Sequence, residues 1–254
     1  MLVALTRGVS PSIERCELTH LGRESIDVSV ATQQHRSYEE CLAGLGCALR
    51  ALPAEPDMPD CVFVEDIAVV LDELALVTRP GAPSRRAETP GVERALSEYR
   101  ELEHIRPPGT LDGGDVLVLG RDIFIGLSAR TNEDGLSQTR SKLEPLGYSI
   151  TGVPVSGCLH LKSAVGRVSP DTLLVNRDWV DTRVFGDRRL IEVAPSESRA
   201  AGVLPIGDVV IYPSAFKRTR DRLAEAGIET TTVDLSELAK AEAGVTCCSL
   251  VFRT

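Results

Sequence analysis

Two neighbouring carboxylates interrupt one of the most apolar stretches of the chain. Glu65 and Asp66 stand inside CVFVEDIAVV (61–70), with valine and isoleucine on both sides. Burying two acids is costly unless they are paired or neutralised, so this stretch predicts a site for a cation with several donors, such as a guanidinium. The alternative is an edge strand with two solvated acids, which the flanking apolar residues disfavour. Asp60, just before the stretch, could meet a substrate amine, although a lone loop aspartate is more often simply solvated.

A cysteine, a histidine and an acid occur at widely separated points. Cys247 lies in GVTCCSLVF, His160 in CLHLKSAV and Asp112 in LDGGDVLVL. A distant histidine and carboxylate are the usual companions of a cysteine nucleophile, and histidine suits acid–base chemistry near neutral pH. The spacing alone is unspecific, because free cysteines are often buried as small hydrophobes. Cys248 is adjacent, so one of the two thiols can face a site while the other packs in the core.

Two arginines follow turn-like segments. Arg85 follows PGAPS and Arg130 follows IGLSA. Either could bind a carboxylate through two parallel hydrogen bonds, although each taken alone is more often a surface residue. The Gly-Gly pair of LDGGD lets the backbone approach whatever it faces. No GxxxxGK[ST] or GxGxxG pattern is present, so LDGGD is not a phosphate-binding loop.

The composition is that of an ordinary globular protein. The 254 residues are 43% hydrophobic and 26% charged, with 28 basic and 37 acidic residues and a net charge of −9. This charge and an aromatic content of 4% argue against nucleic-acid binding and weakly favour cationic small molecules.

The sequence predicts neither a membrane protein nor a disulfide-stabilised one. No apolar run approaches the ~20 residues of a spanning helix, and the N-terminus lacks a signal-peptide core. Seven cysteines, an odd number without a CxxC pair, favour a reducing compartment and disfavour a structural zinc site. We therefore expect a cytoplasmic protein.

Strands and helices alternate along the chain. Apolar runs predict hairpins at 61–70 with 74–78, 115–120 with 123–128, and 159–168 with 172–176. Single strands are predicted at 208–212 and 247–252. Helices are predicted from Thr89, over 131–143, and over 215–226 up to Gly227. Leucines at helical spacing predict a further helix over 38–52.

No linker divides the chain, so we expect one domain over 1–254. Polar residues recur in or beside the apolar runs and form a series along the chain. The separations along the series are 49, 48, 45 and 41 residues, which favours a radial array whose equivalent positions converge on an axis. The plainer alternative is that strands carry occasional polar residues at turns. The members of the series are Asp66, Asp115, Ser163, Asp208 and Ser249.

Taken together, these segments resemble the dimethylargininases (dimethylarginine dimethylaminohydrolases). The resemblance lies in MPDCVFVEDIAVV, TRPGAPSRR, TLDGGDVLVLGRDIFIGLSARTN, VPVSGCLHLKS and GVTCCS. It covers almost the whole chain and is weakest over 177–204. It implies a pentein fold: a five-bladed α/β propeller of repeated strand-strand-helix-strand units with pseudo-fivefold symmetry and its active site on the axis.

The resemblance also implies the reaction. Nω,Nω-dimethyl-L-arginine, or the monomethylated form, would be hydrolysed to L-citrulline and dimethylamine or methylamine through a covalent cysteine thiouronium intermediate. No cofactor and no metal ion would be required, although zinc could bind the thiol and inhibit. The partner would be a small-molecule substrate, with no nucleic acid and no membrane, and a homodimer is compatible with the fold.

Roles follow position by position from the resemblance. Cys247 would be the nucleophile, and His160 the general acid and then the general base. Asp112 would orient His160; some members of the family have glutamate at this position. The substrate-binding set would comprise Asp66 with Glu65 at the guanidinium, Asp60 at the α-amine, Arg85 and Arg130 at the α-carboxylate, Leu18 in a mobile lid, and the backbone near Ala241.

Two other functions are compatible with parts of this pattern. Another guanidine-modifying enzyme, such as an arginine deiminase or an amidinotransferase, would share the cysteine, histidine and acid, but deiminases usually carry an extra helical domain. A non-catalytic methylarginine-binding protein would keep the binding residues, and the intact Cys247 and His160 weigh against it.

Overall fold

The computed structural model describes all 254 residues. Its strands form five three-stranded sheets. The strands β1 to β15, in chain order, are Leu2–Arg7, Ala48–Leu52, Ala68–Val70, Leu74–Val77, Glu101–His104, Val116–Leu119, Asp122–Leu127, Ser149–Pro154, Val165–Ser169, Thr172–Val175, Arg189–Glu192, Leu204–Ile206, Val209–Pro213, Thr230–Val233 and Leu250–Arg253. The α-helices α1 to α6 are Val28–Gly44, Thr89–Leu96, Glu133–Leu143, Leu161–Ala164, Lys217–Glu225 and Ser236–Ala239. Short 3₁₀ helices cover Ile13–Arg15, Val64–Ile67, Pro83–Glu88, Gly113–Asp115, Glu144–Leu146 and Thr182–Phe185.

Every sheet has the same topology. Its first two strands form an antiparallel pair, a helical segment follows, and the third strand lies parallel to the second. The sheet orders are β3-β4-β5, β6-β7-β8, β9-β10-β11, β12-β13-β14 and β15-β1-β2. In the last of these, β15 pairs with β1 from Leu2 opposite Arg253 to Leu5 opposite Leu250, so the two ends of the chain share one sheet and close the ring.

The core is divided among the sheets. Five apolar clusters are present, each formed mainly by two neighbouring sheets and their helices. The middle strands β4 and β10 are buried along their whole length, as expected for strands covered on both faces. Because each cluster joins one sheet to the next, burial of apolar surface holds the ring together.

The first strands of the sheets surround the axis. They line a channel of about 860 Å³. Short helical turns precede three of these strands: Val64–Ile67 before β3, Gly113–Asp115 before β6 and α4 before β9. Asp66, on the first of these turns, lines a second cavity described below, whereas Asp115 and Ser163 line neither that cavity nor the channel. No helix is long and apolar enough to span a membrane.

Several predicted elements are confirmed. The hairpin of 115–120 and 123–128 is β6 and β7, and the helix over 131–143 is α3, capped by the side chain of Asn132, which accepts the Gly135 N–H. The helix over 215–226 is α5, followed by Gly227 in the left-handed region at φ 83°. Thr89 is the first residue of α2, with Pro90 second.

The helix predicted over 38–52 is wrong in its bounds. It begins at Val28, where the Asp27 side chain accepts the N–H groups of Ser29 and Val30, and it ends at Gly44. Gly46 then adopts φ 90°, a left-handed conformation that stops a helix, and 48–52 continue as β2. The leucine spacing runs on through this break, so periodicity alone did not reveal it.

Four further expectations need correction. The runs 61–70 and 159–168 are not strands throughout, because their first halves form the helical turns Val64–Ile67 and α4. The last strand begins at Leu250, not at residue 247. Asp208 does not belong to the polar series, because it lies in the turn between β12 and β13 at the other end of the strand.

Candidate active site

A second, small cavity lies on the other side of the same turns, because Asp66 and Cys247 line it whereas their neighbours Glu65 and Thr246 line the channel. Its volume is about 20 Å³, roughly room for one water molecule. Seven of the ten residues proposed from the sequence line it: Asp60, Asp66, Arg85, Arg130, His160, Ala241 and Cys247. The other lining residues are Glu17, Phe63, Leu159, Glu242 and Ala243. Residues from distant segments of the chain therefore meet at one point.

The imidazole of His160 is oriented by Asp112. Its Nε2 lies 3.1 Å from Asp112 Oδ2, and both side chains are buried. Asp112 is itself held, because its Oδ1 accepts the Gly81 N–H at 2.8 Å and its own N–H donates to Thr131 Oγ1. This arrangement fixes the ring orientation and leaves Nδ1 as the nitrogen not engaged by Asp112.

Asp66 faces the same imidazole from the other side. Its Oδ1 lies 3.7 Å from His160 Nδ1 and accepts the Gly114 N–H at 3.0 Å. A Cβ on Gly114 would stand 2.4 Å from His160 Nδ1 and 2.7 Å from Asp66 Oδ1, which is closer than any real Cβ approaches such atoms. The second glycine of LDGGD is therefore required by close approach of the backbone to these two side chains.

Arg85 is buried in a cluster of acids. Its Nη1 lies 2.5 Å from Asp66 Oδ2, and its Nη2 donates to Glu88 Oε2 at 2.9 Å and to the Phe63 carbonyl at 3.0 Å. The guanidinium of Arg85 is thus paired with one oxygen of Asp66, the carboxylate that the sequence analysis assigned to a substrate guanidinium.

The loop of residues 16–27, called here the lid loop, contains Leu18 and covers the remaining polar groups. The N–H of Glu17 donates to both oxygens of Asp60, at 3.1 and 3.2 Å. Arg130 Nη2 donates to Thr19 Oγ1 at 3.2 Å. Leu18 is half-buried against the apolar cluster that also contacts Cys247. Asp60, proposed for the substrate α-amine, and Arg130, proposed for the α-carboxylate, are therefore both in contact with this loop.

Glu65 lies apart from its neighbour. Its carboxylate contacts Lys162 Nζ at 2.6 Å and accepts the Thr246 hydroxyl at 2.8 Å, and all three residues line the open channel. Asp66 faces the closed cavity instead. The structure therefore does not bring the Glu65 side chain into the cavity, although the Glu65 N–H donates to the Cys247 carbonyl at 3.2 Å.

Cys247 lines the cavity while Cys248 packs in the apolar core, as the adjacent pair suggested. The Sγ of Cys247 accepts the Gly244 N–H at 3.2 Å. Burial raises the pKa of the Cys247 thiol to about 12, with the charges of Glu65 and Asp66 acting in the same direction. With these neighbours alone, the sulfur is a protonated thiol at neutral pH.

The charges of His160 and Asp66 stabilise each other. Burial lowers the pKa of His160, but Asp66 and Asp112 outweigh it and bring that pKa to about 9. Burial raises the pKa of Asp66, but His160 and Arg85 outweigh it and bring that pKa to about 2. The imidazole is therefore protonated at neutral pH and can act as an acid.

The sequence analysis did not identify the residues that support the His160–Asp112 pair from behind. Asp115 is fully buried, accepts the hydroxyls of Ser128 and Thr131 at 2.6 and 2.7 Å, and accepts the Leu161 N–H at 2.9 Å. Burial raises the pKa of Asp115 to about 6. Thr131 joins Asp115 to Asp112, so it supports the orientation of the His160 ring. The only signal for Asp115 in the sequence was its place in the polar series.

Three buried groups have the spacing of metal ligands. Ligand atoms of Asp66, Asp112 and His160 lie within 4.8 Å of one another. However, Arg85 contacts Asp66 and the N–H of Gly81 contacts Asp112, so a cation would have to compete with donors already in place. The set fits the orientation of an imidazole better than the coordination of a metal.

The chain is similar to known enzymes over almost its whole length. A dimethylarginine dimethylaminohydrolase from Streptomyces coelicolor is 41% identical over 251 residues, which cover 98% of this chain and 96% of the relative. One from Pseudomonas aeruginosa is 36% identical over 236 residues, 92% of each chain. The chain belongs to the dimethylarginine dimethylaminohydrolase family. No protein-family model matches it.

Solved structures of dimethylarginine dimethylaminohydrolases confirm the fold. A His-to-Gly variant, as an adduct with S-methyl-L-thiocitrulline, has a TM-score of 0.93 at 34% identity, over 99% of this chain and 100% of that chain. A Cys-to-Ser variant of the Pseudomonas aeruginosa protein, complexed with citrulline, has a TM-score of 0.92 at 34% identity, over 98% of both chains. The predicted pentein propeller is therefore correct.

Proposed function

We propose that this protein hydrolyses Nω-methylated L-arginines to L-citrulline and the corresponding methylamine. The observation that carries the proposal is the meeting of Cys247, the His160–Asp112 pair and Asp66 around one closed cavity in a chain of this family. Attack on a guanidinium carbon needs three groups: a thiol, a proton donor and a carboxylate.

Substrate binding uses groups that otherwise pair with the protein itself. Asp66 holds the substrate guanidinium, and Asp60 exchanges the Glu17 N–H for the α-amine. Arg85 and Arg130 bind the α-carboxylate, with the backbone near Ala241 completing the site and Leu18 closing over it. The guanidinium contact falls to Asp66, while Glu65 holds the segment of Cys247 through its backbone N–H.

The reaction proceeds through a covalent intermediate. The cationic substrate and protonated His160 favour loss of the Cys247 thiol proton to solvent, and the resulting thiolate attacks the central guanidinium carbon. The bond to the dimethylamino nitrogen breaks as His160 donates its proton, and dimethylamine leaves. Water, deprotonated by the now neutral His160, attacks the thiouronium carbon, and collapse of this adduct releases citrulline and the thiol. Asp112 keeps the ring in place throughout.

The test is citrulline release from dimethyl-L-arginine and from L-arginine, with the wild type and Cys247→Ser. We expect turnover of the methylated substrate, and a loss of at least about 10³-fold in Cys247→Ser because no thiolate remains. Cys248→Ser is the matched control and should keep the activity. A preference for unmethylated arginine would support an arginine deiminase instead, and undiminished activity of Cys247→Ser would refute the covalent route.

We propose that residues 1–254 act as one catalytic domain, and that the protein works in the cytoplasm, which its seven unbridged cysteines support. Assembly as a homodimer stays a prediction, and size-exclusion chromatography with light scattering would decide it.

A further inference from the structure

One carboxylate holds three successive backbone N–H groups of the lid loop. Thr19 donates to Glu242 Oε2 at 3.1 Å, and His20 and Leu21 donate to Oε1 at 2.5 and 2.6 Å. The lid loop has no helix or strand, and no backbone carbonyl accepts these three donors. A single side chain therefore provides the acceptors for three consecutive donors.

The backbone of Glu242 is unusual. Its φ is 61°, and it is the only non-glycine residue with a positive φ in the chain. Side chains with a Cβ avoid this left-handed conformation, which a glycine would adopt without strain. A strained residue that makes a specific contact at a site edge is a candidate for a functional role.

The Glu242 contact lies at the edge of the active-site cavity. Glu242 and Glu17 both line it, and the same loop contacts Asp60 and Arg130. A cavity of about 20 Å³ has room for roughly one water molecule, so this segment must move before a molecule of the size of an amino acid can enter.

We propose that Glu242 is the latch of the lid loop, a positioning residue that sets how often the loop opens. The identity of the ligand in this proposal rests on the proposed function. The latch contacts only backbone N–H groups of the loop, so the same hydrogen bonds hold the loop closed whether or not a ligand lies beneath it. A contact common to both closed states slows entry and exit alike and leaves the affinity nearly unchanged.

The first experiment needs no substrate. Amide hydrogen exchange at Thr19, His20 and Leu21 is measured by NMR in the wild type, Glu242→Gln and Glu242→Gly. We expect exchange about tenfold faster in both variants, because charge-assisted hydrogen bonds are lost. Glu242→Gly also relieves the backbone, so faster exchange in it cannot be due to added strain. Unchanged exchange in the two variants would overturn the proposal.

A matched control removes a similar contact elsewhere. Glu197 accepts the N–H groups of Arg218 and Thr219 at the start of α5 and makes no hydrogen bond to the lid loop. Glu197→Gln should leave the exchange of the lid loop as in the wild type. Equal acceleration by Glu197→Gln would show that a general loss of stability, and not the latch, controls the loop.

The second experiment links the latch to the ligand. In a Cys247→Ser background, association and dissociation of dimethyl-L-arginine are followed by stopped flow with and without Glu242→Gln. Both rate constants should rise by a similar factor of about five to ten, with Kd changed less than about threefold. A raised Kd at an unchanged association rate would make Glu242 a binding residue and overturn the latch. No binding to Cys247→Ser would count against the proposed function, and the exchange data would still decide the latch.

Discussion

The two ends of the axis are built from the same turns and have opposite characters. At one end lies a closed cavity of about 20 Å³, and at the other an open channel of about 860 Å³. Neighbours in the chain divide between them: Asp66 and Cys247 line the cavity, whereas Glu65 and Thr246 line the channel. Within each of these pairs, the two adjacent side chains therefore face different cavities and have different environments.

The comparison shows where chemistry is concentrated. At the closed end the charges are buried and mutually paired, and the pKa values of His160, Asp66 and Cys247 are strongly displaced. The channel holds the ion pair of Glu65 with Lys162, but Arg167 there has no ion pair, and desolvation is the sole cause that lowers its pKa. Perturbed groups with specific partners mark functional sites, so we expect substitutions at the closed end to have far larger effects.

After the loss expected for Cys247→Ser, the largest effect is expected from Asp112→Asn. Removing the charge weakens both the orientation and the protonation of His160, so kcat for dimethyl-L-arginine should fall about 10²- to 10³-fold. KM should change much less, because Asp112 makes no proposed contact with the substrate. Steady-state kinetics check this, with Asp208→Asn at the channel end as the control. A rise in KM with unchanged kcat would move Asp112 into the binding set.

The next effect is expected from Gly114→Ala. The added methyl group would collide with His160 and Asp66, and overpacking of this kind costs about 1–3 kcal/mol of unfolding free energy. Gly44→Ala is the control, because a Cβ there meets no atom within 4 Å. The free energies of unfolding of the two variants are compared by urea denaturation. Equal stability of both would show that the backbone at the closed end can yield.

Part of the closed end could be predicted because polar residues interrupt apolar runs. Asp66 and His160 stand out for this reason, whereas Cys247 has an unspecific pattern of its own and was assigned through the resemblance to the dimethylargininases. Glu17 and Glu242 could not be found in this way, because polar residues in loops are usually solvated and their partners are distant in the chain. The ion pair of Arg85 with Asp66 was likewise beyond the sequence, since the choice of partner depends on how two turns meet.

The fold was predictable to a similar degree. The repeated pattern of hairpin and helix follows from alternating apolar runs, and the near-regular spacing of polar residues indicated a radial array. Spacing could not distinguish a strand from a helical turn within 61–70, because the pair Glu65 and Asp66 fits either. It also could not tell which end of a strand Asp208 occupies.

A smaller effect is expected in the pH dependence of stability. The pKa of His160 is raised from 6.5 to about 9, so its stabilising effect is complete below pH 6.5 and is lost as the pH rises through about 9. The pKa of Asp66 is lowered from 3.8 to about 2, so its effect is present above pH 3.8 and is lost as the pH falls through about 2. Thermal unfolding from pH 6 to 10 should show a declining alkaline limb that His160→Asn flattens. A limb unchanged by this substitution would contradict the assignment.

The smallest effect is expected from Arg167→Gln in the channel. The side chain of Arg167 reaches solvent and makes no ion pair, so stability should change by less than about 0.5 kcal/mol. The value of kcat/KM should stay within about twofold, since no group of the cavity contacts this side chain. A large loss of activity here would show that the two ends are energetically coupled.

The most direct test of the central claim is to find the sulfur that carries the intermediate. His160→Gly is incubated with S-methyl-L-thiocitrulline, quenched in acid, digested and mapped by mass spectrometry. We expect a covalent adduct on Cys247, with Cys248 unmodified. An adduct on Cys248 or another cysteine, or none while the wild type turns over methylated arginine, would contradict it.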